Sequence, residues 1–216
     1  MWIDVSVPLD SPHPDWPTSP GVQIASHSDF STGKTLDTQL VMDVHNGTHV
    51  ETHAHVDAHG RTLGALAPDQ LCGRVMVLDA TGETQVPGSL MPQDVEGFDG
   101  IITRTDNSER ALIRESLFSP DFVGWSVELA EAVGRLGQFK FVGVDYLSIQ
   151  PYGGNPRVHS AILESGTVIV EGLDLTDVVP GVYDMLGLFL ALPSREAAPA
   201  RVLLKPVDES EGRRVA

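Results

Sequence analysis

The chain has 216 residues, 41 % of them hydrophobic, enough for one well-cored domain and too few for two large ones. Thirty acidic against 14 basic residues give a net charge of −16, which repels phosphate backbones and anionic lipid and so argues against nucleic-acid or membrane partners. The single cysteine, Cys72, excludes an intrachain disulfide and a cysteine-based zinc finger. Beside the apolar run at 75–78 it reads as a buried thiol rather than a nucleophile.

The first ten residues lack the basic start and long apolar core of a signal peptide. No apolar run approaches the roughly 20 residues that span a bilayer. A cytoplasmic protein is the expectation. Residues 3–7 read as a first strand. Residues 11–20 (SPHPDWPTSP) carry four prolines and predict a loop, since proline breaks regular pairing. Apolar or β-branched runs at 39–44, 74–78, 100–105, 139–144, 167–170, 185–192 and 201–204 predict further strands. One helix stands out at 126–136. Ser126 caps it, Leu129, Val133 and Leu136 line one face, and Gly137 ends it. The polar tail at 208–216 is expected to fray. Strands outnumber helices, which predicts a single α/β domain, residues 1–216, with a mixed sheet and few helices.

Residues 45–57 read HNGTHVETHAHVD and hold four of the eight histidines. Asn46-Gly47 is turn chemistry, and Thr48, Val50, Thr52 and Val56 are β-branched, so extended chain fits better than helix. Extended chain alternates faces. One face then carries His49, Glu51, His53, His55 and Asp57, and the other carries Val50, Thr52, Ala54 and Val56. Imidazole and carboxylate are the ligand types preferred by Zn²⁺, Mn²⁺ and Fe²⁺. A turn at Gly47 would let His45 join His49 on one cation. The other reading is a solvated polar strand face. Downstream, His159 and Glu171 are each weak signals, although Glu171 interrupts an apolar run and a buried carboxylate needs a partner.

These residues resemble the signature H-x-G-T-H-x-D-x-P-x-H of the cyclase-like metal hydrolases, which include kynurenine formamidase and isatin hydrolase. Glu51 stands at the signature's Asp and His53 at its Pro. Residues 1–20 are similar to the family's opening strand and its loop bearing proline and tryptophan. Residues 141–149 (FVGVDYLSI) resemble its G-[IV]-D-x-x-S segment, and the spacing of His159 and Glu171 resembles its late ligand pair. The resemblance implies a swivelling α/β/β domain that forms a homodimer or larger homo-oligomer. It implies that His45, His49 and Glu51 bind one metal, and that Glu51, His159 and Glu171 bind a second, with Zn²⁺ and Mn²⁺ both suitable. His55 would be the acid/base, and Trp16 would lie near a small-molecule substrate. His53, by alternation, would face the site as an extra ligand or stay a supporting, solvent-facing imidazole.

The expected activity is hydrolysis of an amide, lactam, lactone or ester by metal-activated water. No G-x-S-x-G segment points to a serine nucleophile. A metal-dependent cyclase or dehydratase using the same residues is the alternative, and a non-catalytic metal-binding protein is the third reading.

Overall fold

Val- and Ile-rich runs form the centre of the molecule. The computed structural model describes residues 1–31 and 33–207, so the tail at 208–216 lies outside the described residues. Its strands are β1 (Ile3–Asp4), β2 (Gln23–Ser28), β3 (Asp37–Val41), β4 (His49–Glu51), β5 (Cys72–Ala80), β6 (Gly100–Thr105), β7 (Phe141–Val144), β8 (Val168–Glu171), β9 (Gly181–Phe189) and β10 (Ala197–Pro206). Its α-helices are α1 (Asp106–Glu109), α2 (Val127–Leu136) and α3 (Arg157–Glu164). Eight strands form one sheet in the order β1-β10-β4-β8-β7-β6-β5-β9. β9 also pairs with β10, which curls the sheet into a barrel-like layer.

β5, β6, β7 and β8 run parallel, and the remaining pairings are antiparallel. The centres of β6, β7 and β8 are covered on both faces, which is why Ile101 and Ile102, Phe141 and Val142, and Val168, Ile169 and Val170 are apolar in succession. Val75, Ile102, Phe141, Val168 and Val170 point inward with Val50 and Val202. Ile101, Val142, Val144 and Ile169 point outward against Leu129, Val133 and Ile162 of the helices. The outcome is the α/β/β layering that the resemblance implied, with a mixed sheet and few helices. α2 is capped as expected: the Ser126 side chain accepts from Leu129 N, and Gly137 takes the left-handed conformation at φ 61°.

Several elements differ from the sequence reading. The first strand keeps only Ile3–Asp4, because Ser6 turns to an isolated bridge with Leu173. The strand expected at 39–44 starts earlier and stops at Val41. It pairs with β2, which had no pattern to announce it, in a separate two-stranded sheet exposed along nearly all its length. The run at 185–192 begins at Gly181 and ends at Phe189. Cys72 is a half-buried free thiol, not a fully buried one. Residues 11–20 form no strand or helix.

Candidate metal centre and cleft

The largest correction lies in the histidine segment. Extended chain ends at Glu51, and His53–His55 form a turn of 3-10 helix. At the end of the pairing Thr52 still meets its opposite residue: its N–H and its hydroxyl both donate to the carbonyl of Glu196, at 2.8 and 2.9 Å, and the chain turns just beyond. A helical turn, unlike a strand, brings residues i and i+4 together. His55 Nε2 therefore lies 3.6 Å from Glu51 Oε2. His53 turns away, with Nε2 3.8 Å from Asp57 Oδ2. The single alternating face does not extend past Glu51.

β4 lies between β10 and β8, so His49 stands opposite Glu171 and Glu51 opposite Ala197. This register carries Glu171 to the histidine motif. Gly172 follows in a left-handed conformation at φ 70°, against the Gly47 carbonyl, where a side chain would collide. Thr48 locks the junction: its hydroxyl donates to Gly172 O at 2.5 Å and accepts from Val7 N at 2.9 Å. α3 presents His159 from the other side.

Glu51 is buried at the centre, with its two oxygens facing opposite ways. Oε1 lies 3.2 Å from His159 Nε2, and Oε2 lies 3.6 Å from His45 Nδ1 and from His55 Nε2. Glu171 Oε2 lies 3.3 Å from His49 Nε2, and Oε1 lies 3.3 Å from His159 Nε2. Glu171 Oε1 also accepts from Ile149 N at 2.7 Å, which ties the site to the segment after β7. Potential ligand atoms within 4.8 Å of one another form two groups among the described residues: His45, Glu51 and His55, and His49, Glu51 and Glu171. Glu51 belongs to both.

The charge pattern follows from this crowding. Burial disfavours an imidazolium at His159, but Glu51 and Glu171 outweigh it and raise its pKa to about 10. Burial likewise opposes charge on His49, and Glu171 and then Glu51 overcome it, so its pKa is raised. Burial would lift Glu171, yet His159 and His49 hold its carboxyl well below the usual range. Burial and the neighbouring His49 push His45 down to about 4, against the pull of Glu51. His49 Nε2 and both Glu51 oxygens are buried without a hydrogen bond among the described residues. A buried polar atom with no partner costs roughly 1–3 kcal/mol, more if charged. Two carboxylates and three imidazoles around such atoms fit a divalent cation in donor type and charge.

The cluster floors a cleft of about 540 Å³. Trp16, Ser19, Asp43, Val56, Leu147 and Pro151 are among its walls, and no Lys or Arg lines it among the described residues. Trp16 packs edge-on against Phe118 and Tyr152, with ring centroids 5.3 and 5.5 Å away. His45, His49, Glu51, His55, His159 and Glu171 thus come together, Trp16 stands on the wall, and His53 is outside. Gln150 and Glu196 also line the cleft, and no sequence signal marked either. Only their distance relationships in the fold reveal them.

Comparison with known proteins shows what the chain is similar to. Cyclase-like protein 3 of Arabidopsis thaliana is 30 % identical, covering 93 % of this chain and 78 % of its own length. The kynurenine formamidase of Bacillus mycoides is 26 % identical, covering 96 % of this chain and 98 % of its own. The structure of a predicted metal-dependent hydrolase from Bacillus stearothermophilus matches with a TM-score of 0.79 at 27 % identity, covering 94 % of this chain and 97 % of that one. The Cyclase family model matches residues 3–151, a span that holds the whole histidine motif. The chain belongs to the cyclase family.

Proposed function

We propose that this protein is a metal-dependent hydrolase that opens an amide, lactam, lactone or ester bond in a small molecule. The carrying observation is the convergence of His49 Nε2 and both Glu51 oxygens, buried and without a hydrogen bond among the described residues, with Glu51 at the floor of a cleft. His45, His49, Glu51, His159 and Glu171 would hold one or two divalent cations, Zn²⁺ or Mn²⁺, with Glu51 common to both. When bound, the cation supplies an activated water and a positive charge for the substrate's carbonyl oxygen. Among the described residues no Lys or Arg lines the cleft to supply that charge instead.

The chain's own residues divide the remaining work. His55 is partly open to the cleft and 3.6 Å from Glu51. It takes the proton that water loses on attack and returns it to the leaving nitrogen or oxygen, a role suited to imidazole near neutral pH. One water is consumed, and a carboxylic acid and an amine or alcohol result. Trp16, on the cleft wall and backed by Phe118 and Tyr152, offers its ring to an aromatic acyl or amine group. The kynurenine formamidase relatives favour an aryl formamide as the first compound to try.

The reading includes a homodimer or larger homo-oligomer, supported by the exposed β2–β3 sheet, since an isolated hairpin is marginal in water. It also includes a cytoplasmic location, in keeping with the free thiol of Cys72. No helix among the described residues is long and apolar enough to cross a membrane. The test is a panel of aryl formamides, isatins, lactones and esters, assayed with Zn²⁺ and with Mn²⁺ and followed by product analysis. Ring-opened or cleaved products that have gained one water support hydrolysis. Cyclised or dehydrated products, or no turnover at full metal loading, contradict it.

A further inference from the structure

We infer that Gln150 and Glu196 are positioning residues of the centre, fixing which nitrogen of His159 and of His45 faces the cation. The inference rests on the metal-dependent reading above and adds two residues outside every motif.

Each of three imidazoles in the cluster has one nitrogen turned to the carboxylates and the other turned to an oxygen. For His49 the outer oxygen is the Gly47 carbonyl, 3.1 Å from Nδ1. For His159 it is Gln150 Oε1, 3.2 Å from Nδ1. For His45 it is Glu196 Oε1, 3.6 Å from Nε2, an ion-pair separation rather than a hydrogen bond. A ring whose outer nitrogen keeps its hydrogen must present a lone pair inward, which is the state a cation needs.

The Gln150 amide can be oriented from its own bonds. Its Nε2 donates to Gly154 O at 3.2 Å, so the oxygen is the end that faces His159. An amide oxygen only accepts, so His159 Nδ1 carries the hydrogen. The proton that a cation must displace is then the one on Nε2, which faces Glu51 and Glu171. Ser148 Oγ accepts from Gln150 N at 3.2 Å and steadies the turn that delivers the amide.

Glu196 is held from the opposite end of the chain. Its carbonyl accepts both donors of Thr52, and the next residue, Ala197, sits opposite Glu51 in the ladder. These bonds at the edge of β4 also place the Glu196 carboxylate beside His45. A carboxylate acceptor makes the opposite imidazole nitrogen a stronger donor to a cation, whereas a neutral amide mainly orients it.

The experiment measures Zn²⁺ affinity of the full-length protein by competition with a chromophoric chelator. Melting temperatures of the metal-free proteins are recorded alongside. Gln150→Ala and Glu196→Ala should each weaken Zn²⁺ binding by roughly 10–100-fold while the metal-free melting temperature stays at the wild-type value. Gln150→Glu and Glu196→Gln keep an acceptor oxygen and should recover most of the loss. Alanine variants that bind Zn²⁺ like wild type overturn the inference. So does weaker binding that tracks a lower metal-free melting temperature, or that the conservative variants fail to recover. A wild-type protein that holds neither Zn²⁺ nor Mn²⁺ overturns the metal-dependent reading itself, and the inference with it.

Discussion

His49 and Glu171, 122 positions apart in the chain, stand directly opposite each other on the antiparallel pair β4–β8, with Nε2 3.3 Å from Oε2. Sheet register thus joins the two halves of the site. Glu171→Gln keeps the shape but removes the charge that His49 and His159 share. Its Zn²⁺ affinity should fall by more than the roughly 10–100-fold that an orienting partner is worth. Equilibrium dialysis checks this, and wild-type metal content in that variant would count against the shared centre.

His55 and His53 are two residues apart and should behave oppositely. His55→Ala should lower kcat by roughly 10²–10⁴-fold while metal content stays near wild type. His53→Ala should leave both close to wild type, because its ring turns to Asp57 and not to Glu51. Kinetics and metal analysis on the two variants separate the 3-10 turn from a continuous strand, which would make both histidines matter.

Much of this was legible beforehand, and the failures have specific causes. The ligand types at His45, His49 and Glu51, the α2 caps and the buried parallel strands all follow from local pattern. Alternation failed past Glu51 because the chain turns into a 3-10 helix at His53–His55, closed by His55 N to Thr52 O and Val56 N to His53 O, which the β-branched pattern does not announce. α3 was missed although Val158, Ala161 and Ile162 have helical spacing, because the helix is only eight residues long. β2 was missed because its QIASHS segment is polar and exposed. Closure of the sheet through β9 and β10 is a long-range pairing with no trace in either strand alone.

The metal-free protein should be most stable near pH 6.5. His159 is raised to about 10 in the folded state against 6.5 as a model value. Its contribution is therefore fully present below about pH 6.5 and lost as pH rises through about 10. His45, lowered to about 4, acts on the other side: stability falls as pH drops from about 6.5 towards 4. Melting temperatures in chelator at pH 5, 6.5, 8 and 9.5 check the shape. A melting temperature that climbs from pH 6.5 to 9.5 would contradict it. Cation binding must also displace the His159 proton, so calorimetry in buffers of different ionisation enthalpy should show proton release.

Asp145 supports the site without touching it. It is fully buried and accepts from Thr105 N and Oγ1, Asn107 Nδ2, and Ser108 N and Oγ. Burial raises its pKa, and those donors hold the charged form in place. Asp145→Asn puts an NH₂ group among donors and should cost roughly 3 kcal/mol of folding stability. Denaturant unfolding measures it, and a loss below about 1 kcal/mol would show that the network rearranges freely.

Hydrolysis should require a divalent cation held by the cluster of His45, His49, Glu51, His159 and Glu171. The most direct measurement strips the protein with a chelator, verifies the metal content, and follows hydrolysis of an aryl formamide before and after adding back Zn²⁺ or Mn²⁺. Turnover should vanish with the metal, return in proportion to the metal bound, and not return in Glu171→Gln. Undiminished turnover by the fully stripped wild-type protein would contradict it.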